Sequence, residues 1–342
     1  MGARYTTREA VKTATDQAST ARLNARVDDA IESASRTIDN TFHRTFWPQA
    51  ETRYKDWPPP LRSRSWVLWL DEDELISVSA LSSGSVTILS SDYFLRPDTG
   101  PPYNRIEIDL ASSSTFSSGS THQQAIAITG VFGYRADETP AGTAAEALDA
   151  SETGVDVSDS AAVGVGDLLR VDTERMLVTG KSLLTTGQTG SLTASNADRA
   201  LAVANGALFS AGELLTLDAE RVLVEDIAGN TLIVTRAADG TALAAHATAT
   251  IYAPRTLTVE RGSVGTTAAT HLTSAPLYRH LPPGPVSTLC RALAICELQQ
   301  DASGWARTAG SGDNEREVSG KGLAAAWKNA DRYRRKARGG VV

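Results

Sequence analysis

An internal duplication with an unusual order constrains this chain more than any other feature of its sequence. Gly166–Val178 matches Gly212–Val224 at an offset of 46 residues, and both contain Asp-x-Glu-Arg followed by Leu-Val. A second pair of segments, Thr231–Arg236 and Thr256–Arg261, matches at an offset of 25 residues, and each is followed by Gly-Thr and then His. Two unequal offsets exclude a simple tandem repeat.

The matching segments follow one another as front, front, back, back. We therefore predict one small β module, residues 154–181 plus 256–279, which carries a second copy, residues 182–255, inserted at its central turn. A fold tolerates insertion at an exposed turn because loop-closure entropy grows only logarithmically with loop length. The middle of the chain is predicted to be an all-β surface projection of two nested modules.

Charge and tryptophan content separate this middle from the rest of the chain. The formal charge is −7, and residues 147–275 hold 15 acidic and 8 basic residues, so the whole excess lies there. All six Trp lie outside that stretch. Two compositions indicate two structural units. We predict a body of residues 1–146 and 280–342 and an inserted β region of residues 147–279. The neutral body lacks the basic stripe of a DNA-gripping protein.

The flanks predict helices at both chain ends around a small antiparallel sheet. Thr6 and Glu9 have the spacing of a capping box, which indicates a helix start. A second helix is predicted from an apolar stripe with steps of three and four residues: Val27, Ala30, Ile31, Ala34, Ile38 and Phe42. The alternation of Arg105–Leu110, with Ile106, Ile108 and Leu110 inward, predicts a half-solvated strand. Helices from Pro283 to Gln300 and from Leu323 to about Arg335 complete an α+β fold.

Several classes of protein are not supported by the sequence. No run approaches 18 apolar residues and the first ten residues carry charges, so we expect neither a membrane span nor secretion, and a cytoplasmic origin. Cys290 and Cys296 lie six residues apart in a predicted helix, on different faces and too far apart to bond. Phosphate-loop, nucleophile-elbow and His-Glu-x-x-His motifs do not occur. We expect no enzyme activity, no cofactor and no bound metal.

The repeated acidic pairs are the first candidates for chemistry. Asp172/Glu174 and Asp218/Glu220 have a one-residue spacing, which on a strand places both carboxylates on one face. We expect that face to be solvated rather than catalytic or calcium-binding. His246 and His271 recur after matching Gly-Thr pairs without a carboxylate cluster at ligand spacing, so a repeated turn contact is expected in preference to a metal site.

Five basic residues lie close together near the end of the sequence: Arg332, Arg334, Arg335, Lys336 and Arg338. Two interpretations stay open for them. They contact phosphate or an acidic partner, or they form a solvated terminus.

The flanks also carry a series of short motifs in a characteristic order: Asp28–Asp39 running into Phe42–Phe46, then Leu70–Val78, Asp92–Pro97, Pro101-Pro102, Ile126–Tyr134, the helix after Pro282-Pro283, and Trp327–Arg338. In this order they resemble the head-to-tail connector, or adaptor, family of long-tailed bacteriophages. The resemblance covers about residues 6–140 and 281–338. Ordinary members pass almost directly from the strand at 126–134 to the C-terminal helices, so residues 147–279 look like an insertion.

The resemblance implies a structural virion protein that forms a ring, usually of twelve copies, beneath the portal of a filled capsid. Its other implied partners are stopper or tail-terminator and tail proteins, and double-stranded DNA that passes through without sequence-specific binding. It implies assembly in the host cytoplasm and a final place in the virion neck. We expect ring packing through the helix stripe, Val27, Ile31, Ala34, Ile38 and Phe42, together with the sheet. Portal contact is expected from Arg332, Arg334, Arg335, Lys336 and Arg338.

An alternative comes from a different class of protein, a tail-associated or surface β protein that binds carbohydrate through the duplicated modules. Aromatic platforms would favour it, and the middle of the chain supplies Phe209, Tyr252 and Tyr278. A hydrolase acting through Asp172 and Asp218 is a third interpretation, for which the sequence places no partner carboxylate or nucleophile.

Overall fold

Helices from both ends of the chain form one layer of the protein. The computed structural model describes residues 2–15, 21–58, 64–302, 308–309, 316–317 and 321–335. The helices in these residues are α1 (Arg8–Thr15), α2 (Ala21–Phe42), α3 (Gly284–Ala302) and α4 (Lys321–Ala330). A 3₁₀ turn, Asp331–Tyr333, follows α4, so the last α-helix is shorter than predicted. No helix in the described ranges is long and apolar enough to cross a membrane.

The helical layer has a single apolar core. The stripe of α2 lies fully inside it, against Val286 and Leu289 of α3 and Ala330 of α4. Tyr5 and Val11 enter the same core from the N-terminal segment. The amphipathic pattern that predicted α2 is therefore confirmed, and its apolar face packs within the chain.

Two small antiparallel sheets complete the body. The strands are β1 (Gln49–Lys55), β2 (Val67–Trp69), β3 (Leu75–Ser83), β4 (Val86–Ile88), β5 (Tyr93–Arg96), β6 (Arg105–Ile108) and β7 (Ile126–Phe132). One sheet has the order β1-β7-β3-β4 and the other β2-β6-β5. Alternate residues such as Ile106 and Ile108 of β6 point into a core that the two sheets share. Leu110 is exposed, contrary to the predicted alternation, because β6 ends at Ile108.

The middle of the chain forms one long sheet. Its strands are β8 (Glu138–Thr143), β9 (Gly154–Asp156), β10 (Leu168–Val171), β11 (Glu174–Leu192), β12 (Ala200–Ala202), β13 (Leu214–Leu217), β14 (Glu220–Ala228), β15 (Thr231–Thr235), β16 (His246–Glu260) and β17 (Pro276–His280). Two further short strands, β18 (Thr308–Ala309) and β19 (Arg316–Glu317), pair with each other. The sheet order is β12-β15-β14-β13-β16-β11-β10-β17-β8, with β9 beside β16. The fold is therefore α+β with a β-rich middle, as predicted.

The strand pairing repeats at the two sequence offsets. β9 pairs with β16, and β12 pairs with β15 in the equivalent register. The β10–β11 hairpin corresponds to the β13–β14 hairpin, and the same irregularity follows Val178 and Val224. The long strands β11 and β16 run through both copies, since each contributes one half to each copy.

Each copy has its own apolar core. The buried members of one core all lie within residues 141–178 and 257–277, and those of the other lie within residues 192–253. β8 pairs with β17 and contributes Ala141 to the first core, so the sheet begins at Glu138 and the predicted boundary at residue 147 is too late. The outer module thus spans residues 138–181 and 256–280, and the nested module spans residues 182–255.

The outer module is docked on the helical layer, which corrects the prediction of a simple projection. Leu168 and Val264 belong to the helical core. The N–H of Arg8 donates to the carbonyl of Val165 at 2.9 Å, and the N–H of Val165 donates to the Glu9 carboxylate at 2.8 Å.

Thr7, not Thr6, caps α1 through its hydroxyl. Glu9 therefore links α1 to the outer module instead of closing the predicted capping box.

Replacing residues 183–255 by Asn-Gly should leave the body and the outer module folded. Ser182 and Thr256 are direct cross-strand partners, and Asn-Gly closes a two-residue hairpin with a suitable twist. Every buried member of the outer core lies outside the deleted segment. We expect one cooperative thermal transition with retained near-ultraviolet circular dichroism, and a non-cooperative melt would contradict this.

Deletion of residues 147–275 is the contrasting variant. It removes Leu168 and Val264 from the helical core. Loss of a buried aliphatic side chain costs about 2–5 kcal/mol. We therefore expect this variant to lower the free energy of unfolding of the body far more than the shorter deletion does.

Candidate functional site

The five residues predicted to pack the ring are buried inside their own chain. Val27, Ile31, Ala34, Ile38 and Phe42 are each at most 2% exposed. Their neighbours are α3, α4 and the N-terminal segment. They have no surface to offer to another copy, so the predicted ring contact through these side chains is wrong. The stripe was a sound predictor of burial, but it carried no information about the partner.

Four of the motif segments meet at one junction between the helical layer and the body sheets. The ring of Phe46 lies 5.6 Å from that of Tyr134 and 6.3 Å from that of Tyr333. Tyr134 and Tyr333 are 5.9 Å apart, and Phe42 is 5.8 Å from Trp327. All four of these pairs are edge-to-face, which is a favourable arrangement for aromatic rings. The segments at 42–46, 126–134 and 327–335 are therefore held together by one aromatic cluster, the body junction.

Polar contacts bring the remaining segment, Leu70–Val78, into the body junction. The Arg44 guanidinium lies 2.8 Å from the Glu74 carboxylate and donates to the Tyr333 carbonyl at 2.7 Å. Its centre is 4.6 Å from the Tyr134 ring. Arg44 is thus the side chain that connects the end of α2, the turn before β3 and the C-terminal segment.

The C-terminal basic residues have unequal roles. Arg335 donates to the carbonyls of Asp71 and Glu72, and its N–H donates to the carbonyl of Phe42 at 3.1 Å. Arg332 and Arg334 are exposed, with Arg334 paired to Asp331 at 3.1 Å. Lys336 and Arg338 lie outside the described residues. Of the predicted portal contacts, Arg335 is engaged within the chain, whereas Arg332 and Arg334 face solvent.

An open cleft of about 300 Å³ lies beside the body junction. Asp39, His43, Arg53 and Glu72 contribute to its walls. Burial raises the pKa of Asp39 to about 7, against hydrogen bonding from Tyr5 and the charge of Arg36, which lower it. Arg53 is paired with Glu51 and Asp73. The cleft is therefore lined by charged side chains of both signs, of which Asp39 and Arg53 interact with neighbouring side chains.

The repeated acidic pairs form the most extensive polar networks of the described residues. Glu174 is fully buried and accepts from Arg261 at 2.7 and 2.9 Å. It also accepts from the backbone N–H groups of Gly262 and Ala269 at 3.0 Å. His271 lies between Glu174 and Asp172, with 2.8 Å on each side. The nested module repeats every one of these contacts at the expected offsets.

In the nested module Glu220 replaces Glu174, and the Arg236 guanidinium contacts it at 2.8 and 2.9 Å. His246 lies 2.9 Å from Glu220 and 2.7 Å from Asp218. The predicted solvated face is thus wrong for both glutamates, because the arginine of the back half covers each of them. The aspartates are exposed, at 61% for Asp172 and 65% for Asp218.

The networks favour ionised glutamates. Burial opposes ionisation, but hydrogen bonds from Arg261, His271 and two backbone amides together outweigh it and lower the pKa of Glu174 to about 2. The pKa of Glu220 is lowered to about 2 for the same reasons. The two nitrogens of each histidine face separate carboxylates, and within the described ranges no group of three His, Cys, Asp or Glu residues is arranged to hold a metal ion. These contacts join the front and back halves of each module.

The aromatic residues of the carbohydrate alternative do not share a surface environment. Phe209 is buried in the nested core, 5.6 Å from the Arg255 guanidinium. Tyr278 is stacked with Arg170 at 4.6 Å in the outer module, whereas Tyr252 is exposed.

Sequence reasoning missed a set of exposed apolar side chains on the sheet side of the body: Val86, Leu89, Phe94 and Leu110. Phe94 alternates with Tyr93 and Leu95, which pack against the sheet core. That alternation was the available signal. By contrast, the described α-helices contribute none of the large exposed apolar residues.

Comparisons with protein-family models, with curated proteins and with solved structures found no match for this chain.

Glu174→Gln should lower the free energy of unfolding at neutral pH by about 3–5 kcal/mol, because Arg261 is left buried and unpaired. Asp172→Asn is the matched control in the same network, and because Asp172 is exposed we expect a loss below about 1 kcal/mol. Denaturant titration measures both values. Equal losses would contradict a dominant role for the buried pair.

Glu174→Gln should also differ from the unaltered protein in how its stability depends on pH. Because the pKa of Glu174 is lowered from 4.5 to about 2, its stabilisation is present above pH 4.5 and is lost as the pH falls toward 2. We expect Glu174→Gln to lose less stability than the unaltered protein between pH 5 and pH 3.

Proposed function

We propose that this protein is a structural component of the neck of a long-tailed bacteriophage. It forms a ring beneath the portal, joins the filled capsid to the tail and lets DNA pass. The observation that carries this proposal is the body junction. Motif segments that lie far apart in the sequence, and that carry the resemblance to connector proteins, converge there through Phe46, Tyr134, Tyr333 and Arg44.

The distribution of charge supports passage of DNA rather than retention. The acidic excess belongs to residues 147–275, and the remainder of the chain is formally neutral. Retention of DNA requires clusters of Lys and Arg that neutralise phosphates. Of the body arginines in the described residues, most are instead paired with a carboxylate of the same chain, as Arg44 is with Glu74 and Arg96 is with Glu107.

The ring contact belongs on the sheet side of the body. The α2 stripe is occupied within the chain, whereas four exposed apolar residues of the body, Val86, Leu89, Phe94 and Leu110, lie within residues 86–110. A ring needs a heterologous contact, in which two different patches of the same protein meet. We assign one of these patches to Leu89, Phe94 and Leu110.

The portal contact rests on the exposed arginines. Arg332 and Arg334 face solvent beside the body junction, whereas Arg335 holds the C-terminal segment on the turn at Asp71 and Glu72. The C-terminal segment is thus placed by one arginine and presents two others to a partner with an acidic surface.

Phe94→Glu should prevent ring formation, because it places a carboxylate in an apolar contact between copies. Leu272→Glu is the control, since Leu272 is 80% exposed on the outer module and is not assigned to the ring. Particle images and native mass, recorded alone and with the portal protein of the same phage, measure assembly. Only monomers or two-fold dimers from the unaltered protein would overturn the proposal.

Arg332→Glu combined with Arg334→Glu should weaken attachment to the portal, and the loss should be greatest at low salt. Partly exposed charges are screened over about 10 Å at 0.1 M salt. Arg335→Ala is the comparison variant, and we expect it to lower thermal stability because it releases the carbonyls of Asp71 and Glu72. If the portal affinity of the double variant is unchanged, these arginines do not contact the portal and the segment is a solvated terminus.

A further inference from the structure

The two modules contain the same loop in the same conformation. Gly166 donates to Val178 at 2.8 Å, and Gly212 donates to Val224 at 2.7 Å. Their φ angles are 106° and 90°, in the region that favours glycine. The next hydrogen bonds of the two loops also match, with equal distances of 3.2 Å and 2.9 Å. The outer loop, residues 164–168, and the nested loop, residues 210–214, are therefore structural equivalents.

The outer loop binds the start of a helix. At Val165 the carbonyl accepts from the N–H of Arg8, and the N–H donates to the carboxylate of Glu9. Arg8 and Glu9 are the first residues of α1. A helix start has unsatisfied N–H groups and favours a carboxylate in its first turn. One residue of the loop therefore recognises both features with its two backbone groups.

The nested loop presents the same two backbone groups, and no described residue forms a hydrogen bond with them. Ala211 stands 46 residues after Val165 and is exposed. In the described part of the chain, neither its N–H nor its carbonyl has a hydrogen-bond partner. A side-chain carbon at Gly166 would lie 3.0 Å from the Thr6 carbonyl, whereas one at Gly212 would meet nothing closer than 3.8 Å. The outer loop is thus in close contact with the N-terminal segment that leads into α1, whereas the nearest atom to the equivalent position of the nested loop is the side chain of Ala161.

We propose that the nested loop is a docking site for the start of a helix in a different protein, one that carries Glu or Asp in its first turn. A second copy of this chain is not the occupant. Among the described α-helices only α1 has an acidic residue in its first turn, and it is engaged by its own outer module. The exposed Leu208 and the half-buried Leu214 give the partner helix apolar contacts beside Ala211.

One difference between the modules, on the strand beside each loop, sets the expected affinity. In the outer module the Lys181 ammonium lies 3.9 Å from the Glu9 carboxylate. The equivalent position of the nested module is Ile227. Recognition by the nested loop therefore depends on the backbone of Ala211, and an introduced cation should strengthen it.

The test uses a synthetic peptide of residues 2–15 of this chain, which contains the helix start that the outer loop binds. Added at millimolar concentration to the whole protein, it should slow hydrogen exchange at the Ala211 amide in a saturable manner. A peptide with Glu9→Gln should bind about tenfold more weakly, because a hydrogen bond to a charged group is lost. Ala211→Pro removes the N–H donor and should abolish saturable binding of the peptide, which is measured by calorimetry because this variant has no amide hydrogen at position 211. Ile227→Lys should increase the affinity in the same measurement.

Thermal melts of the two protein variants establish that they remain folded. Protection confined to Val165 would mean that the peptide only displaces α1 from the outer module, and this result would overturn the proposal. Absence of protection at Ala211, or equal protection by the Glu9→Gln peptide, would overturn it as well. None of these outcomes depends on whether the protein forms a ring.

Discussion

The fold of the middle of this protein depends on one buried interaction in each module. Glu174 comes from the front half of the outer module, and Arg261 and His271 come from its back half. The nested module inserts more than seventy residues between these two halves, so Glu174 and its partners are far apart in the sequence although they are in contact. Burying a carboxylate raises the free energy of the folded state unless the carboxylate is paired and hydrogen-bonded. Structures in which the two halves pair correctly are therefore strongly favoured. Glu220 repeats this requirement within the nested module.

Attachment of the outer module to the body has a local conformational cost. Val264 adopts φ of 49°, a left-handed conformation that is unfavourable for a β-branched residue. Its side chain is buried in the helical core. A side-chain carbon at the adjacent Gly265 would clash with the carbonyl of Ala50. The equivalent residue of the nested module is Asp239, a residue type that tolerates this conformation better. The strain at Val264 is therefore offset by burial against the body.

The sequence predicted those features that depend on a repeated or periodic pattern. The α2 stripe, the α+β class and the matching hairpins follow from spacing alone. Burial of Glu174 was missed because strand alternation gives the face of a side chain and not what covers it. The α2 stripe was assigned to ring packing for a related reason, since its partner Leu289 lies some 250 residues away. Thr6 and Glu9 matched a capping box, but Glu9 instead binds Val165.

Divergence between the two copies follows their contacts. The outer copy has Val165, Lys181 and Val264 where the nested copy has Ala211, Ile227 and Asp239. Each outer residue contacts the helical layer or the helix α1 that belongs to it. The residues that hold the glutamate networks are the same in both copies. The glutamate networks are thus the same in both copies, whereas the residues that contact the body differ. The nested copy therefore keeps the internal architecture of the module, but the face that docks on the body in the outer copy does not do so in the nested copy. A stable module whose docking face does not contact the body can use that face to bind another protein.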